Sequence, residues 1–336
     1  MKNVDKTTNL GIQLLRFLLC LWIVIAHCSY IKPEHYKYVM RGFHVPIFIL
    51  LAFYFFYPSL SLRKIEKIII RFKRLLIPYI LWPLIIIILN NALIKLFSFG
   101  QFRQYLPYKY LYYQYIIGTP IHNVFWFQFN LIFLSLLFTI IEFIFKSKSL
   151  IIFQLFGIIS LYLQITQIYY NYFIGFRGNF GKNVASIIEL TSLAAIGCIL
   201  CSFNFLLRIK KMNIFSQIIL FSLIYLLFKY DIFIQLRGFR YPNVMLYISG
   251  AIILLLFFGS LNFEKTKAIN NIISKITNFT GGIYYTHLFL YRYLLYIKYF
   301  QKKTYFSSII IYILCYDICF IGNKLFKNSK LKYLFL

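Results

Sequence analysis

The feature that most constrains this chain is a succession of apolar runs, each long enough to cross a lipid bilayer, separated by short polar stretches. A helix that crosses a bilayer needs about 20 predominantly apolar residues. The pattern predicts about ten such helices: residues 11–31, 43–60, 75–94, 122–144, 149–170, 184–207, 213–229, 243–261, 280–297 and 305–322. No flexible linker or appended soluble module separates them, so we expect a single membrane-embedded domain over residues 1–336.

The composition excludes the main soluble alternatives. Hydrophobic residues make up 61 % of the 336 residues and charged residues 13 %, whereas a typical soluble domain has about 45–50 % and about 25 %. A water-soluble fold of this size has no place for so much apolar surface, because much of any folded surface faces solvent. We therefore predict an all-α integral membrane protein, a bundle of transmembrane helices that crosses the plasma (cytoplasmic) membrane several times.

The strong positive charge fits a membrane surface better than nucleic acid. The chain carries 36 Lys and Arg residues against 8 Asp and Glu residues, and the basic residues form short clusters between the apolar runs. With ten spans, the terminal side carries 20 basic residues and the opposite side 14. Because cytoplasmic loops are enriched in Lys and Arg, this bias predicts that both termini are cytoplasmic. The densest cluster lies between residues 63 and 74.

The cysteines give no sign of a metal or redox centre. All six lie in apolar runs, at positions 20, 28, 198, 201, 315 and 319. A CxxC pair such as Cys198 and Cys201 becomes a zinc or redox motif when further ligands complete it. No second CxxC and no nearby His does so here, so we interpret these residues as packed thiols and expect no metal.

Two ionisable residues lie within the first span. Arg16 and His27 are eleven residues apart, which on a helix is about three turns and a rise of about 16 Å. The two side chains therefore share one face. Ionisable groups at membrane depth cost roughly 2.5–3.5 kcal/mol and commonly face a polar interior. The pair predicts a polar slot through the bundle, although the spacing equally allows each residue to extend to its nearer membrane surface.

A second basic motif precedes the third span. Arg71 and Arg74 stand three residues apart, followed by Leu-Leu-Ile-Pro-Tyr. Residues at i and i+3 are neighbours on a helix, and two adjacent guanidinium groups bind phosphate well. The motif therefore predicts a phosphate-binding fork. On charge alone, however, the sequence favours an anchor at the cytoplasmic membrane surface.

Four further residues are candidates for a substrate or supporting role. His44 opens the second span near the expected depth of His27, and His287 lies early in the ninth. Trp126 opens the fourth span, and Glu34 lies in the first outer loop. Each has a structural alternative, because membrane-interface aromatics, packed histidines and solvated loop acids are all common.

Together these motifs resemble the membrane-bound acyltransferase 3 family. The matching residues are, in family order, Arg16 and His27; His44, Pro46 and Phe48; Arg71, Arg74 and the Leu-Leu-Ile-Pro-Tyr that follows; Trp126 and Phe127; and Gly282, Ile283, Tyr284 and His287. One departure stands out, since the family usually has Ser-Gly where this chain has Ala52-Phe53. The fused soluble domain of some family members is absent from this sequence.

The resemblance implies transfer of an acyl group, commonly acetyl, from cytoplasmic acyl-CoA to a hydroxyl of a surface glycan or its lipid-linked precursor. His27 would be the catalytic residue, Arg16 would support it, and Arg71 and Arg74 would bind the CoA phosphates. A sugar hydroxyl needs a base, which an imidazole provides near neutral pH. The imidazole would act as this base or as a transient acyl carrier. Acyl-CoA would be a substrate, with no permanently bound cofactor; the other partners would be the glycan acceptor and membrane lipids.

The main alternative is a glycan polymerase or flippase, which would handle acidic sugars with basic outer loops. Its site would contain Lys229, Arg237 and Arg240. The placement of the histidines would then have no explanation. A secondary transporter is a weaker alternative, because no matched pair of Gly/Pro-broken helices marks an inverted repeat.

Overall fold

The computed structural model shows helices and no strands in the residues it describes. Those residues are 10–28, 44–97, 115, 125–166, 179–209, 212–223, 226, 244–261, 267–295, 300 and 304–336. The helices are α1 (Leu10–Cys28), α2 (His44–Ser61), α3 (Ile65–Phe97), α4 (Phe125–Phe145), α5 (Ser149–Thr166), α6 (Asn179–Ser202), α7 (Phe205–Ile209), α8 (Ile214–Leu223), α9 (Val244–Ser260), α10 (Lys267–Thr277), α11 (Thr280–Leu294) and α12 (Tyr305–Leu325). A short 3-10 helix, Lys330–Leu334, follows α12.

Several of these helices are suited to a bilayer. Five described stretches are long and apolar enough to cross it: Leu10–Cys28, His44–Ser61, Ile65–Ala92, Phe125–Gln164 and Tyr305–Leu325. Shorter apolar helices lie at Ser186–Ser202, Ile214–Leu223 and Gly250–Ser260. The prediction of an all-helical membrane protein is confirmed. Each predicted apolar run contains a described helix, whereas the count of ten spans and the side of the termini stay predictions.

The outer surface of the helices is apolar as well. Ile88, Ile144 and Ile158 are 66 %, 64 % and 62 % exposed. A soluble protein rarely exposes extended apolar surface of this kind, whereas lipid requires it. These faces therefore point toward the hydrocarbon of the membrane.

The third helix differs from the prediction at its start. It begins at Ile65, whereas the predicted apolar run begins near residue 75, so Arg71 and Arg74 lie on the same continuous helix as that run. The physical reason is that long basic side chains run their methylene groups along apolar surface while their charged ends reach polar surroundings. A basic first portion therefore extends the membrane helix instead of interrupting it.

One part of the bundle consists of α2, α4, α5 and α6, packed closely around a shared apolar core. Small residues permit the close approach. A Cβ added at Gly197 of α6 would collide with the Leu50 carbonyl oxygen of α2 and lie 3.1 Å from the Tyr54 nitrogen. Gly157 of α5 likewise faces Ala195 of α6, where an added Cβ would be 2.9 Å from the Ala195 Cβ. Membrane helices commonly pack through small residues in this way.

A row of polar side chains joins α5 to α6, and we call it the polar seam: Gln164, Ser160 and Ser192. The Gln164 amide donates to the Ser160 hydroxyl at 3.0 Å and to the Ser192 hydroxyl at 3.1 Å. Ser160 donates to the Ile188 carbonyl and accepts from the Ser192 backbone N–H. The three side chains thus satisfy one another inside the bundle, as buried polar groups must.

The other part consists of α1, α11 and α12. It has its own core, which includes Cys20, Val24, Ile283, Ile311 and Cys315. All six cysteines of the chain are free and buried. After α12 the chain turns back toward α3, and the Trp82 indole N–H donates to the Leu334 carbonyl at 3.0 Å. This return places residues 329–336, which we call the tail, next to α3.

Candidate active site

Arg16 is fixed to the start of α11. Its Nη2 donates to the Thr280 hydroxyl oxygen at 3.1 Å, and the same hydroxyl donates to the Thr277 carbonyl at 3.2 Å. Arg16 is partly buried. A charge-assisted hydrogen bond of this kind is among the stronger ones, so the guanidinium group is held beside the first turn of α11.

A cavity of about 390 Å³ lies between α1, α3, α4 and α11. Arg16 and Arg74 both line it, although they come from different helices. The remaining lining residues are Cys20, Ile23, Phe48, Leu75, Phe127, Gln128, Leu131, Thr277, Asn278, Thr280, Gly281, Tyr284, Tyr285 and Leu336. Arg74 is exposed as well as lining the cavity. It therefore marks the mouth, and two positive charges face one space.

Gln128 holds three walls of this cavity together. Its side-chain amide donates to the Leu75 carbonyl of α3 at 2.8 Å, and its side chain is also hydrogen-bonded to Tyr285 of α11. The residue is 2 % exposed. Because α4 carries Gln128, this side chain fixes α3, α4 and α11 relative to one another around the cavity.

Two histidines meet beyond the cavity. The His27 ring of α1 and the His287 ring of α11 are 5.3 Å apart between centroids, edge to face at 75°. His287 is fully buried, whereas His27 is partly buried. The His287 Nδ1 lies 3.2 Å from the Ile283 carbonyl oxygen. A carbonyl only accepts, so this contact assigns the ring proton of neutral His287 to Nδ1.

The two contacts between α1 and α11 also fix the direction of these helices. Arg16 meets Thr280, and His27 meets His287 further along both helices. The helices therefore run parallel. The prediction that Arg16 and His27 share a face is confirmed, because both side chains turn to α11.

The cavity approaches the histidine pair, although neither His27 nor His287 lines it. Its lining includes Ile23 on α1 and Tyr284 on α11. Ile23 precedes His27 by one helical turn, which is about 6 Å along the axis. The Tyr284 ring, in turn, is 6.1 Å from the His287 ring. Tyr284 thus lines the cavity and also lies next to the His287 imidazole.

His44 joins the same neighbourhood. It is 6 % exposed at the start of α2, its ring is 6.2 Å from the Trp22 ring, and it is near enough to His27 for the two imidazoles to interact electrostatically. Three predicted candidates, His27, His44 and His287, therefore come together. The described residues contain no group of three His, Cys, Asp or Glu side chains with metal-binding geometry.

Arg71 does not join Arg74 in a fork, contrary to the prediction. Its Nε donates to the Ser135 hydroxyl at 3.2 Å and its Nη1 to the Ala52 carbonyl at 3.1 Å. Its guanidinium carbon lies 4.1 Å from the centre of the Phe56 ring. Residues at i and i+3 differ by about 60° around a helix axis. This difference is enough for Arg71 to reach Ser135 and Ala52 in the bundle while Arg74 lines the cavity.

Comparison with known protein families gives a match: a family described as an acyltransferase domain matches residues 9–322, nearly the whole chain. The chain belongs to the acyltransferase 3 family. No curated protein and no solved structure matches it. Membership indicates a membrane acyltransferase, and the matched region includes every cavity-lining residue except Leu336.

The departure from the usual family sequence lies against Arg71. The guanidinium of Arg71 bonds to the Ala52 carbonyl, and its carbon lies 5.4 Å from the centre of the Phe53 ring. A cation over an aromatic face is stabilised electrostatically. Phe53, at a position where acyltransferase 3 proteins usually have a smaller residue, thus helps to hold Arg71 in the core.

The remaining candidates contribute less or lie elsewhere. Trp126 packs against the apolar core and contacts Phe127, with ring centroids 6.1 Å apart, but it is not a cavity-lining residue. Glu34 lies outside the described residues. So do the basic residues of the polymerase or flippase alternative, at positions 229, 237 and 240. Family membership favours the acyltransferase.

Three contributors to the cavity were not singled out from the sequence. Thr280 and Gln128 are neutral polar residues in apolar runs, and such residues are easily taken for packing. Their position was available as a signal, since Thr280 directly precedes two glycines and Gln128 follows the Trp-Phe motif. The tail gave no signal, because its contact with α3 is long-range.

Proposed function

We propose that this protein transfers an acyl group, most simply acetyl, from cytoplasmic acyl-CoA to a hydroxyl of a surface glycan or its lipid-linked precursor. It would act in the plasma membrane as one domain of about ten spans with both termini cytoplasmic. The observation that carries the proposal is the cavity lined by Arg16, Arg74 and Ile23, since Ile23 lies one helical turn before His27.

The donor would enter at Arg74. CoA carries several phosphate charges, and arginine pairs with phosphate through charge-assisted hydrogen bonds. Arg74 lies at the mouth and Arg16 further inside, held by Thr280. The phosphates would bind at the mouth, while the flexible arm of CoA would extend along the cavity toward Tyr284.

The thioester would then react at His27. The imidazole takes the proton of the sugar hydroxyl as the hydroxyl oxygen attacks the thioester carbonyl, and the CoA thiolate leaves. His27 is suited to this step because it is partly exposed, whereas His287 is fully buried behind it. A base of this kind contributes about 10²- to 10⁴-fold to the rate.

His287 would be a positioning residue. Its ring meets that of His27 edge to face, and its own orientation is fixed by the Ile283 carbonyl. His44 is buried next to Trp22 of the same helix as His27. Packing against His287 would hold the His27 ring in one orientation, which is how catalytic side chains are usually preorganised.

Two routes remain for the acyl group, and one measurement separates them. In direct transfer the hydroxyl attacks the thioester itself. In a relay the His27 nitrogen attacks first and carries the acyl group to the acceptor. Incubation with labelled acetyl-CoA in the absence of acceptor leaves label on the purified protein only in the relay.

The test of the function is the variant His27→Ala. We expect it to insert normally and to lose transfer of labelled acetyl to glycan by at least about 10²-fold. Cys28→Ala is the matched control, because it changes the adjacent side chain, which packs in the apolar core of α1, α11 and α12. It should retain activity. Wild-type transfer by His27→Ala would overturn the assignment.

A further inference from the structure

The tail packs on the cavity region although it lies beyond the part of the chain that matches the family. The match ends at residue 322, whereas Leu336 lines the cavity and Leu334 accepts a hydrogen bond from Trp82. The Phe335 ring lies 6.2 Å from the Trp82 ring and stacks on Phe326 at 5.9 Å. Leu336 is therefore part of the cavity wall, and Leu334 and Phe335 hold the tail against Trp82 of α3.

Glycines in α11 and α12 make room for this wall. An added Cβ at Gly282 would lie 2.8 Å from the Phe335 carbonyl oxygen, and at Gly322 it would lie 2.5 Å from the Phe335 ring. At Gly281 it would collide with the Leu336 carbonyl oxygen. Real Cβ atoms do not approach other atoms this closely. The tail can therefore pack here only because these three positions have no side chain.

The tail brings a second cation to Arg74. The guanidinium carbon of Arg74 lies 6.0 Å from the centre of the Tyr333 ring, and the Lys332 Nζ lies 5.6 Å from the same centre. Two like charges so close to one ring repel each other in part, while the ring attracts both. Both positive charges therefore lie near the same ring, so an anion bound at Arg74 is also attracted by the charge of Lys332.

We propose that Lys332 and Tyr333 belong to the donor site, so that the cations gripping the CoA phosphates are Arg74 and Lys332 rather than Arg74 and Arg71. This inference rests on the proposed function. It gives the site a second cation beside Arg74, although Lys332 does not itself line the cavity and Arg71 is hydrogen-bonded to Ser135 and Ala52 in the bundle. Tyr333 is the positioning residue that holds the two cations together.

Phosphate at this place has two possible sources, the nucleotide part of CoA and an anionic lipid headgroup. Adenosine 3′,5′-bisphosphate separates them, because it carries phosphate charges of CoA but neither the acyl arm nor lipid tails. It should compete with acetyl-CoA if the site binds the nucleotide. A lipid site would instead respond to the anionic lipid content of the vesicle.

The experiment compares Lys332→Ala with Lys330→Ala in vesicles of neutral lipid, using the full-length protein. Lys330 is the matched control, because it is exposed in the same short helix. We expect Lys332→Ala to raise KM for acetyl-CoA and the inhibition constant of the bisphosphate about tenfold, the effect of one charge-assisted hydrogen bond. kcat should not change. Lys332→Arg should restore both constants, and Tyr333→Leu should raise them.

The outcomes separate this inference from the proposed function. If the wild-type protein transfers acetyl but Lys332→Ala keeps both constants at the values of Lys330→Ala, the tail is not part of the donor site. If the effect of Lys332→Ala appears only with anionic lipid and leaves the bisphosphate constant unchanged, the site binds headgroups and the inference is wrong. If the wild type transfers no acetyl, the proposed function fails and takes this inference with it.

Discussion

Two groups of helices in this protein hold polar side chains at membrane depth and use them differently. Against the bundle of α2, α4, α5 and α6, the polar seam and Arg71 hydrogen-bond to protein groups. Around α1, α3 and α11, Arg16 and Arg74 face a cavity. Arginine occurs in both places, and what differs is whether its side chain lines the cavity, as Arg16 and Arg74 do, or not, as for Arg71.

This difference separates structural from functional charges in a membrane protein. An ionisable group at membrane depth has to be satisfied by something. Where the protein satisfies it, its removal costs stability. Where a cavity lies in front of it, a ligand satisfies it and its removal costs affinity. Arg71 and Arg74, from one motif on one helix, fall on opposite sides of this division.

Arg71→Ala should therefore give the largest loss of stability. It removes hydrogen bonds to Ser135 and Ala52 and the contact with Phe56. We expect the free energy of unfolding in detergent to fall by about 3 kcal/mol, since hydrogen bonds to charged groups contribute about 1.5–3 kcal/mol each and do not add fully. Thermal melting and denaturant titration measure it.

Lys73→Ala is the control for that substitution, because Lys73 is exposed on the same helix. It should leave stability nearly unchanged. If Arg71→Ala is as stable as Lys73→Ala and instead raises KM for acetyl-CoA, Arg71 binds the donor. The distinction between structural and functional charges would then be wrong.

Arg74→Ala should weaken donor binding and leave stability unchanged, with a smaller free-energy effect than that of Arg71→Ala. Arg74 lines the cavity and is exposed. We expect KM for acetyl-CoA to rise about tenfold, which corresponds to about 1.4 kcal/mol, with kcat and melting temperature unchanged. Steady-state kinetics on purified protein measure it. A marked fall in melting temperature without a change in KM would place Arg74 among the structural charges.

Much of the fold follows from the sequence, because the apolar runs are long and lipid allows only helices or closed barrels. The apolar run at residues 75–94 covers only part of α3, because hydropathy excludes the basic residues Arg71 and Arg74 that the same helix carries. The sequence did not predict which helices pack against one another. Gly157 and Gly197 are contact points only because Ala195 and the Leu50 carbonyl face them, and no local pattern indicates such partners.

The candidate site shows the same limit. The shared face of Arg16 and His27 follows from helical spacing, and α11 receives both residues. The different directions of the Arg71 and Arg74 side chains cannot be predicted from spacing. Each side chain contacts partners that other helices or the tail supply. Spacing decides which side chains point the same way, and tertiary packing decides which of them reach open space.

The polar seam offers the smallest test of the comparison. Gln164→Met removes the hydrogen bonds to Ser160 and Ser192 while nearly preserving volume. Ser160 keeps the Ile188 carbonyl and the Ser192 N–H as partners, so little is left unsatisfied. We expect a loss of about 0.6 kcal/mol, the average for hydrogen bonds between membrane helices, measured against the exposed-face control Ile158→Val. Acetyl transfer should be unchanged. A loss of transfer without a loss of stability would show that the seam takes part in function, and that polar groups satisfied by protein are not reliably structural.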